Sequence, residues 1–213
     1  MKKKNLLYTV GEEIANSVTH GIGALLAIAA CVILVVTSAF TGDAYKIVSC
    51  SIYGASLIIM FSMSTLYHAL TNEKAKYVFR IFDHTSIFIL IAGTYTPIAL
   101  NTLRGPIGWI IFSIEWVVTI VGIVLNSISI ERFKKFSLIA YIAGGWCIVL
   151  AAVPFIKAIE PGGMWLILSG GLAYTIGIIF YKLKSLKYMH SLWHLFVLAG
   201  AIIQYFCIQL YIV

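Results

Sequence analysis

Apolar runs of about 20 residues recur from one end of this chain to the other, and that recurrence limits the fold more than any motif does. In hydrocarbon each unsatisfied backbone N–H or C=O costs several kcal/mol, so runs of this kind fold as helices. A transmembrane β-barrel needs alternating segments of about ten residues, and none occur. Composition agrees. Of 213 residues, 61% are hydrophobic and 11% charged, with a mean hydropathy of +0.99. A soluble domain of this size could not build a polar surface from so few charges. The expected fold is all-α: a polytopic membrane protein with a seven-transmembrane helix bundle.

The seven spans fall at about 18–40, 46–70, 77–100, 107–127, 137–156, 164–181 and 188–211. Short connections separate them, several with turn residues: Thr41-Gly42-Asp43, Gly105-Pro106 and Pro161-Gly162-Gly163. Nothing marks a second domain, so residues 1–213 read as one membrane domain. Residues 8–17 are too polar to span. They can lie along the interface as a short helix, which makes 1–17 a cytoplasmic or interfacial segment. Lys2, Lys3 and Lys4 resemble the start of a signal peptide, but Gly11-Glu12-Glu13 and Asn16 interrupt its apolar core, so no cleavage is expected. Cys31, Cys50, Cys147 and Cys207 lie scattered in apolar segments without metal or redox spacing and read as small buried hydrophobes.

The net charge of +7 does not point to nucleic acid, because the basic residues sit in short clusters between apolar runs. Twelve of the fifteen Lys and Arg fall on one side: Lys2, Lys3, Lys4, Lys74, Lys76, Arg80, Arg132, Lys134, Lys135, Lys182, Lys184 and Lys187. Lys46, Arg104 and Lys157 fall on the other. The positive-inside rule then puts the N-terminus in the cytoplasm and the C-terminus outside, in the cell membrane. Trp109 and Trp165 open the fourth and sixth spans at the outer face, where indoles are favoured.

This topology places the polar groups in depth. At a rise of about 1.5 Å per residue, His68 and His190 lie roughly 3 Å from the cytoplasmic end of their spans. Ser64, Asp83 and His194 lie roughly 9 Å in. Groups from three helices far apart in sequence thus share one layer. The pairs Ser64-x-x-x-His68 and His190-x-x-x-His194 each occupy one helix face. A single His near a helix end can simply bond backbone carbonyls, but scattered structural polar groups have no reason to agree in depth. Three His ligands with a fourth position open form the catalytic arrangement of zinc, which can lower the pKa of its bound water to about 7. His68, His190 and His194 are therefore the candidate metal ligands. Asp83 can orient the water or act as general base, and Ser64 can hydrogen-bond the water or an oxyanion. His20 opens the first span on the same side and can support the site, with Glu13 and Asn16 folding over it as a cap. His84 points about 100° away from Asp83 and reads as structural. Glu115 lies roughly 12 Å from the outer end of the fourth span, too far to be a ligand. A charged carboxylate at such depth costs about 2.5–3.5 kcal/mol, so Glu115 has to be protonated, paired or beside a wet cavity. Pro97 is expected to kink the third span toward its outer end.

The segments Glu13-x-x-Asn16-x-x-Thr19-His20, Ser64-x-x-x-His68, Asp83-His84, Ala92-Gly93-Thr94-Tyr95-Thr96-Pro97 and His190-x-x-x-His194 resemble the motifs of the progestin and adiponectin receptor superfamily, and within it the bacterial haemolysin III branch. The resemblance implies seven helices, a cytoplasmic N-terminus and zinc held by His68, His190 and His194, with Asp83 and Ser64 around its water. Alkaline ceramidases in the wider superfamily imply hydrolysis of a membrane lipid amide or ester. Two other functions stay open: a membrane-homeostasis or sensor protein with structural zinc, and the cytolytic, pore-forming activity implied by the branch name. A retinal pump is excluded because the seventh span has no Lys for a Schiff base. No internal repeat supports a transporter with inverted halves.

Overall fold

The computed structural model describes residues 8–183 and 185–213. Among these the regular structure is entirely helical. The helices are α1 (Val10–Phe40), α2 (Ala44–Ala69), α3 (Glu73–Pro97), α4 (Pro106–Ile128), α5 (Ile130–Gly145), α6 (Ala152–Ala158), α7 (Pro161–Lys182) and α8 (Met189–Tyr211). A π-helical turn, Ile98–Thr102, extends α3, and a 3-10 turn, Cys147–Ala151, joins α5 to α6. Seven units are long and apolar enough to cross a membrane, α3 with its π turn and α5 through α6 counting as one each. The protein is a multi-pass membrane protein, as the apolar runs predict.

Neighbours in sequence are neighbours in space: α1 packs on α2, α2 on α3, α3 on α4 and α5, α7 on α8, and α8 returns to α1. The third span is the most enclosed, while much of α1 and α7 faces outward. Glycines let helices approach where the site is built. A Cβ on Gly23 of α1 would meet the Phe61 ring of α2 at 2.5 Å.

Three local features depart from the expected spans. Residues 10–17 do not form a separate interfacial helix; they are the first turns of α1. A capping box starts the helix, with the Thr9 Oγ1 accepting from the Glu12 N–H at 3.3 Å and the Glu12 Oε2 accepting from the Thr9 N–H at 2.8 Å. Buried Glu12, Asn16, His20, Gly23 and Ala27 then continue as one stripe at helical spacing. With 31 residues α1 runs about 46 Å, so its polar start extends past the hydrocarbon core of about 30 Å. The third span does change at Pro97, but as a π turn. Pro97 cannot donate a ladder hydrogen bond, and the widened turn absorbs the loss. The fifth span begins earlier than expected, at Ile130, and breaks at Trp146. Gly144-Gly145 weaken the helix there, and Pro154 allows a new one only if it falls in the first turn, where α6 places it.

Because the spans alternate in direction, the start of α1, the end of α2, and the starts of α3 and α8 meet at one end of the bundle. Trp109 and Trp165, both exposed, open α4 and α7 at the other end.

Candidate metal centre

The last turn of α2 carries His68 and the first two turns of α8 carry His190 and His194. One ring nitrogen from each lies within 4.8 Å of the other two. His68 and His194 are buried and His190 is partly so. The Nε2 atoms of His190 and His194 stand 3.2 Å apart, and the buried Nε2 of His68 has no hydrogen-bond partner.

The outward-facing nitrogens explain this convergence. The His68 Nδ1 lies 2.6 Å from the Glu13 Oε2. A carboxylate can only accept, so that nitrogen carries the proton and leaves the Nε2 lone pair free. The His194 Nδ1 likewise donates to the Asn16 carbonyl at 3.2 Å, which again leaves Nε2 free. Metal-ligating His residues are held in this way, with the second nitrogen tied to a carboxylate or carbonyl. The donor set therefore fits a metal ion at His68, His190 and His194.

Around these residues sits a polar lattice from α1. Glu13 pairs with Lys76 of α3 at 2.9 Å as well as with His68. Asn16 is wholly buried and accepts at Oδ1 from the Ser191 hydroxyl at 2.5 Å. Glu12 accepts from the Tyr188 N–H at 2.9 Å, holding Tyr188 at φ 62°. For a bulky residue that left-handed backbone is strained, and it sets the direction in which α8 leaves with His190.

Asp83, in the third turn of α3, is buried, and His68, His84 and Ser64 are among its electrostatic neighbours. Ser64, one turn before His68, has a buried hydroxyl without a partner. His84 reaches Asp83 at 3.5 Å, but its Nδ1 donates to the Arg80 carbonyl at 2.9 Å, in keeping with a structural role. His20 is fully buried and stacks on His194, ring centroids 3.6 Å apart. Both of its ring nitrogens lack partners. Glu115 stays apart from this group, near Tyr95 and Cys147.

The profile of the family described as "Haemolysin-III related" matches residues 8–205. The chain belongs to that family. "Hemolysin-3" of Bacillus cereus is 41% identical over 99% of this chain and 96% of its own length. "Hemolysin-3 homolog" of Bacillus subtilis (strain 168) is 40% identical over 97% of each chain. The more distant human "Monocyte to macrophage differentiation factor" is 26% identical over 96% of this chain and 86% of its own. The resemblance read from the motifs is thereby borne out. The haemolysin-III match spans every residue of the His cluster and begins at Tyr8, which stacks on His190 with ring centroids 4.7 Å apart. Burial pushes the Tyr8 phenol well above its ordinary range, so it stays neutral.

Tyr8, Lys76 and Ser191 were not among the expected site residues. Tyr8 and Lys76 give no local signal, since each acts through a helix remote in sequence. Ser191 did offer one: it is a polar residue next to His190 in the first turn of an apolar helix.

Proposed function

We propose that this protein is a zinc-dependent hydrolase of a membrane lipid amide or ester. The observation that carries the reading is the convergence of one ring nitrogen from each of His68, His190 and His194, near the buried Asp83 carboxylate and Ser64 hydroxyl. His68, His190 and His194 would hold the ion. Zinc bound by three protein ligands supplies Lewis acidity and an acidified water in its open position. Asp83 accepts a proton as water attacks the acyl carbonyl carbon and delivers it to the leaving amine or alcohol as the C–N or C–O bond breaks. Ser64 and His20 have the free hydrogen-bonding capacity to orient the carbonyl or the water.

Substrate class follows from what adjoins the cluster. An apolar groove of about 250 Å³ runs between α1, α2 and α8, lined by Gly23, Ala27, Ala30, Leu57, Phe61 and Ala201 among others. Its Phe61 wall is in edge contact with His20, centroids 5.1 Å apart. An acyl chain in the groove would bring its carbonyl end toward the His layer. Lysis, named in the Bacillus cereus relative, fits as a consequence of lipid products.

The test is hydrolysis of a panel of ceramides, N-acyl amines and phospholipids by purified, zinc-loaded protein. Asp83→Asn is expected to keep its zinc and lose at least 100-fold in rate, in line with the ~10²–10⁴-fold contribution of general acid–base catalysis. His68→Ala is expected to lose both metal and activity. Equal turnover in wild type and His68→Ala sinks the reading. If Asp83→Asn and Ser64→Ala keep full cellular function while each His variant loses stability, the metal is a clasp between α2 and α8 in a homeostasis protein.

A further inference from the structure

Glu115 takes no part in the His cluster. It is 2% exposed on α4, and its Oε1 has no hydrogen-bond partner. None of the ion pairs among the described residues includes it. Its carboxyl abuts the point where the fifth span is interrupted. A Cβ on Gly144 would lie 3.1 Å from Oε2 and 3.7 Å from Oε1, with Ile91 of α3 at 3.2 Å. The other groups that face it are Cys147 on the 3-10 turn and Tyr95 on α3. The Tyr95 hydroxyl is committed to the break itself, donating to the Gly145 carbonyl and accepting from the Ile148 N–H, each at 3.0 Å.

Two negative features thus meet in the interior of a membrane bundle. One is the carboxyl. The other is the C-terminal end of α5, which carries roughly half a negative charge on its last carbonyls. Among the described residues, no cationic side chain pairs with Glu115. Burying a lone carboxylate costs far more than pairing or neutralising it. Interrupted membrane helices commonly use such C-terminal ends, with a nearby acid, to coordinate a sodium ion or a proton. A single acid among neutral groups balances one charge, whereas divalent ions take more oxygen ligands and more charge.

We propose that Glu115 and the interrupted fifth span form a binding site for a monovalent cation, filled by a proton or a sodium ion. The missing Cβ of Gly144 leaves room for the occupant against the end of α5. Tyr95 pins the break open, so occupancy is tied to the shape of the fifth span. Tyr95 lies twelve residues along α3 from Asp83, about 18 Å, so the site is separate from the His layer.

The experiment follows thermal midpoint and tryptophan fluorescence of zinc-saturated protein in detergent; Trp116 and Trp146 flank the site. Sodium chloride replaces choline chloride at constant ionic strength, at several pH values. In wild type the midpoint is expected to rise with sodium or with falling pH. Glu115→Gln, whose amide imitates the neutral acid, removes that response. Gly144→Ala, which crowds Oε2, shifts it to higher sodium or lower pH, and it serves if Glu115→Gln does not fold. A sodium response that weakens as pH falls identifies sodium as the occupant; a pH response alone identifies the proton. Indifference of the wild type to both, an unaltered response in Glu115→Gln, or an unshifted one in Gly144→Ala overturns the proposal.

Discussion

Glu13 shows how one side chain can govern a site without touching its occupant. Its carboxylate fixes the His68 proton on Nδ1, while Lys76 balances its charge from the other side. Replacing it with Gln keeps the size but halves the accepting capacity and removes the charge. Zinc affinity of Glu13→Gln is expected to fall ~10–100-fold, the usual cost of losing such a support. Competition against a chelator measures it, and an unchanged affinity would mean that His68 is oriented by something else. Most of the site was legible at this scale. His68, His190, His194, Asp83 and Ser64 stand out because polar groups are costly in apolar helices and these five agreed in depth. His20 was harder to weigh, since an interfacial His and a buried one look alike in sequence. Its stack on His194 and its two unpartnered nitrogens are properties of packing.

At the scale of elements, existence was easier to read than continuity. The apolar runs predict seven spans, and seven occur. The start of α1 was missed because Glu12, Glu13 and Asn16 look too polar for a span, although their spacing with His20 already matched one helix face. The break in the fifth span was missed because hydropathy does not register a change of hydrogen-bond pattern inside an apolar run. The π turn after Pro97 has its own signature in the contact with α4. A Cβ on Gly108 would lie 2.0 Å from the Ala99 carbonyl oxygen and 2.6 Å from that of Leu103. These are backbone atoms that cannot swing aside, so Gly108→Ala has to push α4 off the turn. Its thermal midpoint is expected to drop by several degrees, consistent with a cost of roughly 1–3 kcal/mol for overpacking. A midpoint equal to wild type would show that the turn is soft.

At the scale of the molecule, the His cluster and the polar groups around it join the first, second and last spans. Ligand binding to the folded state stabilises it by mass action, ~2.7 kcal/mol at 100 times Kd. Chelation is expected to lower the unfolding midpoint of wild type and leave His68→Ala unchanged; a chelator effect of equal size in both would place the metal elsewhere. The charge asymmetry makes a separate prediction. Cysteines introduced at Ser129 and Ser185 in a chain cleared of its own four are expected to react only with reagents that reach the cytoplasm. A cysteine at Gly42 is expected to react from outside, and the opposite pattern would invert the topology.

The division of ligands between α2 and α8 also sets an order of events in biosynthesis. A ribosome-bound chain that has released six spans offers a single His of the three, and α1 has no Ser191 to meet Asn16. Only insertion of the final helix brings the donors together, some 120 residues after the first has left the ribosome. Under the proposed zinc reading, metal capture is a completion signal for this polypeptide: a chain truncated before its last helix lacks two of the three ligands and is expected to bind no zinc there.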